Sequence, residues 1–428
     1  LNGKTQEVEI LTLEDCLRIG IDNNLSLEGK RKEIQKSKYG VSENRSKLLP
    51  QINAIAGYNN NFDPPVSVTD GSSYGVPYNI TKTLQHSANA GLEMQMPLFN
   101  QTLYTSMSIA KVMEEISRLS YGKAREDVIL QISKMYYLGQ VTAEQIMLIK
   151  ANITRLEELR DITQAFFDNG MSMEVDLKRV NINLENLKVQ YDNAQAMMKQ
   201  QLNMLKYIMD YPAEKEIALT PVNTDSITTV ALTGLSENIY ELQLSQSQVQ
   251  LAERQKKIIT NGYIPSLSLT GSWRYAAYTD KGYHWFHSGP SNQWFRSYGV
   301  GLTLRIPIFD GLDKTYKIKK AMIDIENKRL AWEDARKNLQ TQYLNAVNDL
   351  MNNQRNFKKQ KDNYLLAEDV YAVTSDRYRE GIASMTEVLQ DEMQMSEAQN
   401  NYISAHYNYR VTNLMLLKLT GQIESLVK

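Results

Sequence analysis

The chain has 428 residues, a formal net charge of −1 and a mean hydropathy of −0.45. The balanced charge gives no basic footprint for nucleic acid, and the single cysteine, Cys16, excludes an intrachain disulfide. No stretch approaches 18 consecutive apolar residues, so the sequence predicts no transmembrane helix. The length allows two or three domains.

The first half of the chain combines helical and extended patterns. Thr12 and Asp15 have the spacing of a capping box, which starts a helix after an extended segment at 1–11. Apolar and polar residues later alternate on both sides of segment 62–84, which is rich in Pro, Gly, Ser and Asn and predicts a loop of about 20 residues. In chain order the sequence predicts helices at 12–24, 26–48, 101–168 and 171–209, with strands at about 50–61 and 86–97.

The second half repeats this order. Pro97-Leu98-Phe99-Asn100 precedes the first long helix, and its counterpart, Pro307-Ile308-Phe309-Asp310, follows 210 residues later. A repeated order of this kind predicts two internal structural repeats, at 1–220 and 221–428. In the second repeat we expect helices at 235–261, 311–380 and 385–420, and strands at about 264–278 and 296–308.

Two long helices of nearly equal length dominate the pattern. A helix of almost 70 residues spans roughly 100 Å, which is far beyond the usual globular helix and favours a coiled coil or bundle. In the second, aromatic and apolar residues recur at every seventh position, which indicates a seam of 3.5 residues per turn. These residues are Tyr343, Leu350, Phe357, Tyr364, Tyr371 and Tyr378.

The four alternating segments have the length of strands that cross a bilayer. One face is apolar and the other polar, as expected for strands with lipid on one side and water on the other. The alternative is a pair of half-buried hairpins on a soluble domain. The predicted lipid face contains Leu92, Met94, Leu267, Leu269, Trp273, Val300, Leu302 and Leu304. Aromatic residues over 273–298 would suit an interfacial girdle or a packed loop cluster.

Four strands cannot close a channel-sized barrel, and open strand edges cannot face lipid. Several copies of the chain must therefore share any barrel, and three copies would supply twelve strands.

The chain resembles the TolC-like outer-membrane efflux proteins, also called outer membrane factors, over essentially its full length. The motifs that carry the resemblance lie at both ends of the strands and helices. They are Leu11–Leu17 with Asn23-Asn24-Leu25, Leu48–Ile52, Pro307–Gly311, and Tyr378–Gly381 with Glu387, Leu389, Ala398, Tyr402, Ala405 and Tyr409.

The resemblance implies a mixed α and β fold. A trimeric outer-membrane β-barrel, with four strands per chain, would continue into a long α-helical coiled-coil tunnel in the periplasm of a Gram-negative bacterium. A mixed equatorial band is expected from about 1–11, 210–235 and 421–428.

The implied function is that of a passive exit duct of a tripartite efflux or type I secretion system, exporting small molecules or polypeptides. Its implied partners are a periplasmic adaptor, an inner-membrane transporter of RND or ABC type, and outer-membrane lipid. The alternative is a non-transport coiled-coil scaffold with decorating hairpins.

The resemblance also assigns residues to the periplasmic end. Gly170 and Gly381 would be the helix-turn tips that dock the adaptor. The gate would contain Glu387, Asp176, Tyr378, Gln390 and Asp391. The family's latch arginine is replaced by Ala383, and Arg377 or Arg379 is the expected substitute. Alternatively, Glu387 and Asp176 stabilise helix N-termini, and both roles can hold together.

Other candidate chemistry is weak. His284 and His287 are three residues apart, but no further metal ligand is evident beside them. The sequence has no phosphate loop, nucleophile elbow or zincin motif, so we expect neither an enzyme nor a cofactor.

Overall fold

The computed structural model describes residues 8–221, 234–280 and 293–427. Its helices form where proline is absent over long stretches, and the capping box predicted at Thr12 and Asp15 is confirmed, with Thr12 Oγ1 accepting from the Asp15 N–H at 3.1 Å. The helices are α1 (Leu13–Asn23), α2 (Leu25–Ser46), α3 (Gln101–Asp168), α4 (Glu174–Met209), α5 (Tyr240–Asn261), α6 (Asp313–Arg379) and α7 (Met385–Leu419).

The strands form three small sheets. They are β1 (Glu9–Leu11), β2 (Gln51–Asn60), β3 (Val66–Asp70), β4 (Tyr78–Lys82), β5 (His86–Phe99), β6 (Ile217–Leu219), β7 (Ser266–Thr279) and β8 (Trp294–Arg305). The largest sheet is antiparallel, with the order β2-β5-β7-β8, whereas β1 pairs with β6 in parallel. Helix, strand, strand, long helix and returning helix follow one another in both halves of the chain.

The prediction of a loop at 62–84 is wrong in part, because β3 and β4 form a hairpin within this segment. Val68 lies opposite Ile80, and Gly75 turns the chain with φ of +75°. The Gly, Ser and Asn residues that suggested a loop are equally typical of a hairpin turn, and they concealed two short alternating segments.

Three helix starts also differ from prediction. α4 begins at Glu174 after an extended Met173, α5 begins at Tyr240, and α6 begins at Asp313. α6 starts late because Gly311 and Leu312 both have positive φ, a conformation that cannot continue a helix.

The chain divides into two compact units, of which the first comprises Leu1–Ile34, Ile116–Gln246 and Leu330–Lys428. Its core brings Leu17, Ile132 and Met209 together with residues of α7. Cys16 is fully buried there, and burial raises the pKa of its thiol to about 12.

This unit also buries the carboxyl group of Glu126 on α3. Loss of solvent raises the pKa of Glu126 to about 7, and the nearby Lys418 ammonium opposes the rise. Lys418 itself forms an ion pair of 2.5 Å with Asp127.

The second unit comprises Gln35–Glu115 and Ser247–Arg329, so it contains the four-stranded sheet and the helix ends that adjoin it. Buried Asn261, at the end of α5, donates to Thr105 Oγ1 of α3 at 2.6 Å. β7 follows α5 after four residues, and the short connection fixes where that strand begins.

Candidate functional site

The four-stranded sheet has one apolar face. Directly opposed residues of antiparallel strands share a face, and the register pairs Leu92 with Trp273, and Leu269 with Leu302. The remaining members of the predicted lipid face lie an even number of residues along the strands from these pairs, and therefore on the same face: Met94, Leu267, Val300 and Leu304. Val300 is 79% exposed and Leu302 67% exposed in the single chain. The alternation therefore gives a continuous apolar surface that nothing in the described chain covers.

The opposite face of the sheet is polar. Arg274 and Glu93 form an ion pair across β7 and β5, and Thr270 donates to the Gly301 carbonyl at 3.2 Å. These residues line a cavity of about 450 Å³. This face suits water, because its charged and hydroxyl groups have partners yet stay partly exposed.

The sheet is open at both edges. Within the described residues, β2 pairs with β5 alone and β8 pairs with β7 alone. Each edge strand therefore presents a row of unpaired backbone N–H and C=O groups.

The two predicted tips close long helices in the same way. Gly170 and Gly381 have φ of +73° and +74°. The Met171 N–H reaches the Phe166 carbonyl at 2.8 Å, and the Ile382 N–H reaches the Arg377 carbonyl at 2.8 Å. These bonds form Schellman caps, for which glycine is favoured because only it adopts positive φ without strain.

Exposed apolar side chains lie at both tips. Met171 and Met173 are both 68% exposed, and Ile382 at the second tip is also exposed. Such residues at a turn mark a surface suited to a partner.

Glu387 caps α7. Its carboxylate accepts from the Ser384 N–H at 2.7 Å and from the Ser384 hydroxyl at 3.0 Å. These hydrogen bonds lower the pKa of Glu387. The helix-start role weighed from the sequence is therefore present in the single chain, and it keeps this carboxyl ionised.

Asp176 lies in the first turn of α4. Arg179 donates to the Asp176 carboxylate at 3.2 Å and to Thr386 Oγ1 at 3.4 Å, so it connects the first turns of α4 and α7. Further along α7, Gln390 is exposed and Asp391 is half-buried.

Tyr378 connects α6 to α3. Its buried hydroxyl lies 3.3 Å from Thr163 Oγ1, and its ring packs 5.7 Å from that of Phe166. Arg379, one of the expected substitutes for the latch arginine, donates to Glu158 of α3 at 3.4 Å. A hydroxyl pair and an ion pair thus join the same two helices near the tip.

A further ionic group, which joins α3, α6 and α7, was missed by the sequence reasoning. Arg155 of α3 donates to Glu368 at 3.0 Å and to the sulfur of Met395 at 3.2 Å. Glu392 of α7 is only 5% exposed, and burial raises its pKa while Arg155 opposes the rise. The signal was present in α7, where Glu392, Gln399 and His406 interrupt an apolar seam every seven residues.

His284 and His287 lie in 281–292, outside the described residues. Among the described residues, no group of His, Cys, Asp and Glu could hold a metal ion, and no helix is long and apolar enough to cross a membrane.

The combination of paired long helices and an open amphipathic sheet is the fold of outer-membrane channels. The CusC channel has this fold: its structure aligns with a TM-score of 0.79 and 15% identity, covering 98% of this chain and 95% of that one. The outer membrane efflux protein family model matches residues 19–209 and 231–422, and the chain belongs to this family.

Curated relatives agree with this assignment. The outer membrane protein TolC of Vibrio cholerae is 21% identical over 399 residues, covering 90% of this chain and 84% of the relative. The probable efflux pump outer membrane protein TtgC of Pseudomonas putida is 23% identical over 379 residues, covering 84% and 75%.

The resemblance inferred from the motifs is thus confirmed. The protein is an outer-membrane exit duct for an efflux system of a Gram-negative bacterium. Its family is one of transport channels and not of enzymes.

Proposed function

We propose that three copies of this chain close one twelve-stranded barrel, with the apolar sheet face in lipid and the polar face lining water. The open sheet carries the proposal, because unpaired strand edges cannot remain in a bilayer where no water satisfies them. Joining β8 of one copy to β2 of the next would pair both edges without any further element.

The helices would continue this barrel into a periplasmic tunnel. The order of elements in the two halves supports two repeats, 1–220 and 221–428, each with one long helix beside two shorter ones. The mixed equatorial band at 1–11, 210–235 and 421–428 is supported by the β1–β6 pair at its centre. Parts of that band lie outside the described residues.

The tips at Gly170 and Gly381 would dock a periplasmic adaptor, which connects the duct to an inner-membrane transporter of RND or ABC type. The exposed Met171, Met173 and Ile382 support this, since flexible thioether side chains adapt to a partner surface. The energy for export would come from the transporter, because the duct itself lowers no chemical barrier.

Glu387, Asp176, Gln390 and Asp391 would surround the periplasmic mouth as a gate. Three-fold symmetry would bring several carboxylates together, and such a ring favours cations. The Tyr378–Thr163 and Arg379–Glu158 contacts would hold α6 against α3 in the closed state.

Single-channel recording of the detergent-purified protein in planar bilayers tests the proposal. We expect a detergent-stable trimer that inserts and gives uniform, small, cation-preferring steps. A monomer that never conducts would refute the shared barrel, and large anion-preferring steps would refute the acidic gate.

A further inference from the structure

A groove of about 1000 Å³ runs between α5 and α6 beside the sheet. At its far end Arg329 forms an ion pair with Glu253 at 2.7 Å. At the end near the sheet, Tyr263 spans the two helices, with its ring 5.1 Å from the Lys314 ammonium and its hydroxyl 3.4 Å from Thr315 Oγ1. The groove is therefore held at both ends and open between them.

The part of the groove nearer the sheet is cationic. Lys256 and Lys257 lie in the last two turns of α5, and Lys319 lies in the second turn of α6. Because α5 runs toward the sheet and α6 away from it, these three lysines occupy a similar level above the strand ends. All three line the same groove, whose lining also includes Glu253 and Glu326.

Lysines are concentrated at the start of α6. The helix macrodipole disfavours a cation in the first turn, where Lys314 lies, and Lys317, Lys319 and Lys320 follow in the second turn. Lys314 and Lys317 are offset by ion pairs with Asp310 and Asp313. Among the described residues Lys319 and Lys320 have no ion pair, although the Lys319 ammonium lies 5.6 Å from the centre of the Tyr316 ring.

The charge excess extends over the helical parts of this unit. Segments 35–50, 100–115, 247–265 and 306–329 contain 14 Lys and Arg against 8 Asp and Glu, although the whole chain has a net charge of −1. Between β8 and α6, Ile308 is 94% exposed and Phe309 is also highly exposed. An apolar and aromatic segment followed by lysines is typical of a chain that passes from hydrocarbon into anionic headgroups.

We propose that the α5–α6 groove binds an anionic phospholipid of the periplasmic leaflet, with its phosphodiester between Lys256, Lys257 and Lys319. Its acyl chains would extend toward the sheet along the segment that contains Ile308 and Phe309. The inference rests on the proposed insertion of the sheet in the membrane. It assigns the groove a ligand defined by its chemistry: a negatively charged headgroup on a diacyl lipid.

The test uses the full-length protein in detergent, titrated with phosphatidylglycerol or with phosphatidylcholine of the same acyl chains and followed by native mass spectrometry. Each lysine near an anionic surface is worth about fivefold in affinity. The variant K256Q/K257Q/K319Q should therefore lose at least about tenfold in phosphatidylglycerol affinity after screening, with phosphatidylcholine binding unchanged. The matched control K358Q/K359Q/K361Q, on α6 but in the other unit, should keep the parental affinity.

Parental phosphatidylglycerol affinity in the groove variant would overturn the proposal. If the reversal potential of that variant also shifts, the lysines face the water-filled path instead. Channel recordings in phosphatidylcholine separate the two hypotheses: a parent that inserts and conducts but shows no lipid preference contradicts only the groove, whereas a parent that never conducts contradicts the proposed channel.

Discussion

Replacing Leu302 with arginine tests the assignment of the apolar sheet face to lipid. An arginine facing lipid costs about 2–4 kcal/mol at the bilayer midplane and about 0–1 kcal/mol near the interface. Leu302 lies three residues from the end of β8, so an intermediate cost of about 2 kcal/mol per chain is expected. Val300 lies nearer the strand centre on the same face, and Val300→Arg should therefore cost more than Leu302→Arg. Three copies in one barrel would multiply either cost.

The assay is the amount of trimer in isolated outer membranes, measured on gels that preserve the assembly. The matched control is Thr303→Arg, one residue away at nearly the same depth but on the polar face, where Thr303 lies opposite Ser268. We expect losses in the order Val300→Arg, then Leu302→Arg, then Thr303→Arg. Equal losses from Leu302→Arg and Thr303→Arg would refute the assignment of faces.

Four further outcomes concern residues of the first unit. Gly381→Val places a β-branched residue at φ +74°, which strains the tip by about 1–3 kcal/mol, so export should stop while trimer abundance persists; normal export would show that this tip does not dock the adaptor. The double variant Glu387→Ala with Asp176→Ala should reduce the cation preference, measured as the reversal potential. Tyr378→Phe removes the contact with Thr163 and should enlarge the conductance step. Parental values of both quantities would place the constriction elsewhere. The pKa of Glu126 is raised from 4.5 to about 7, so the folded state holds this proton more tightly and the parent loses stability as pH rises from 4.5 to 7. Glu126→Gln has no such proton to lose, so its melting temperature relative to that of the parent should increase over the same range. A difference that stays constant with pH would contradict a buried carboxyl group.

Features that depend only on the local sequence pattern could be predicted from the sequence. Alternation with a period of two sets which side chains of a strand share a face, so the apolar face containing Leu92, Trp273 and Leu302 could be predicted, whereas the register between strands is known from the structure. The glycines that end α3 and α6 were equally legible, because a helix that ends in positive φ favours that residue.

Contacts between distant parts of the chain could not be read in the same way. Arg155 and Glu368 are 213 residues apart, and nothing in either sequence neighbourhood selects the other as a partner. A helix-start role for Glu387 was one of the two alternatives drawn from the sequence, yet the lowered pKa of this residue depends on hydrogen bonds with Ser384 that only the folded chain shows. The gate assigned to Glu387 and Asp176 stays a prediction, because it concerns the assembled mouth.

The unpaired edges of β2 and β8 also have a genetic consequence. In the proposed trimer each copy closes the barrel for two others, so a copy that assembles but cannot export disables its neighbours. If parental and Gly381→Val copies are made in equal amounts and mix freely, only about one eighth of the assemblies contain three parental copies. Such an allele should therefore be dominant, and the loss of export should appear even in cells that still produce the parental chain.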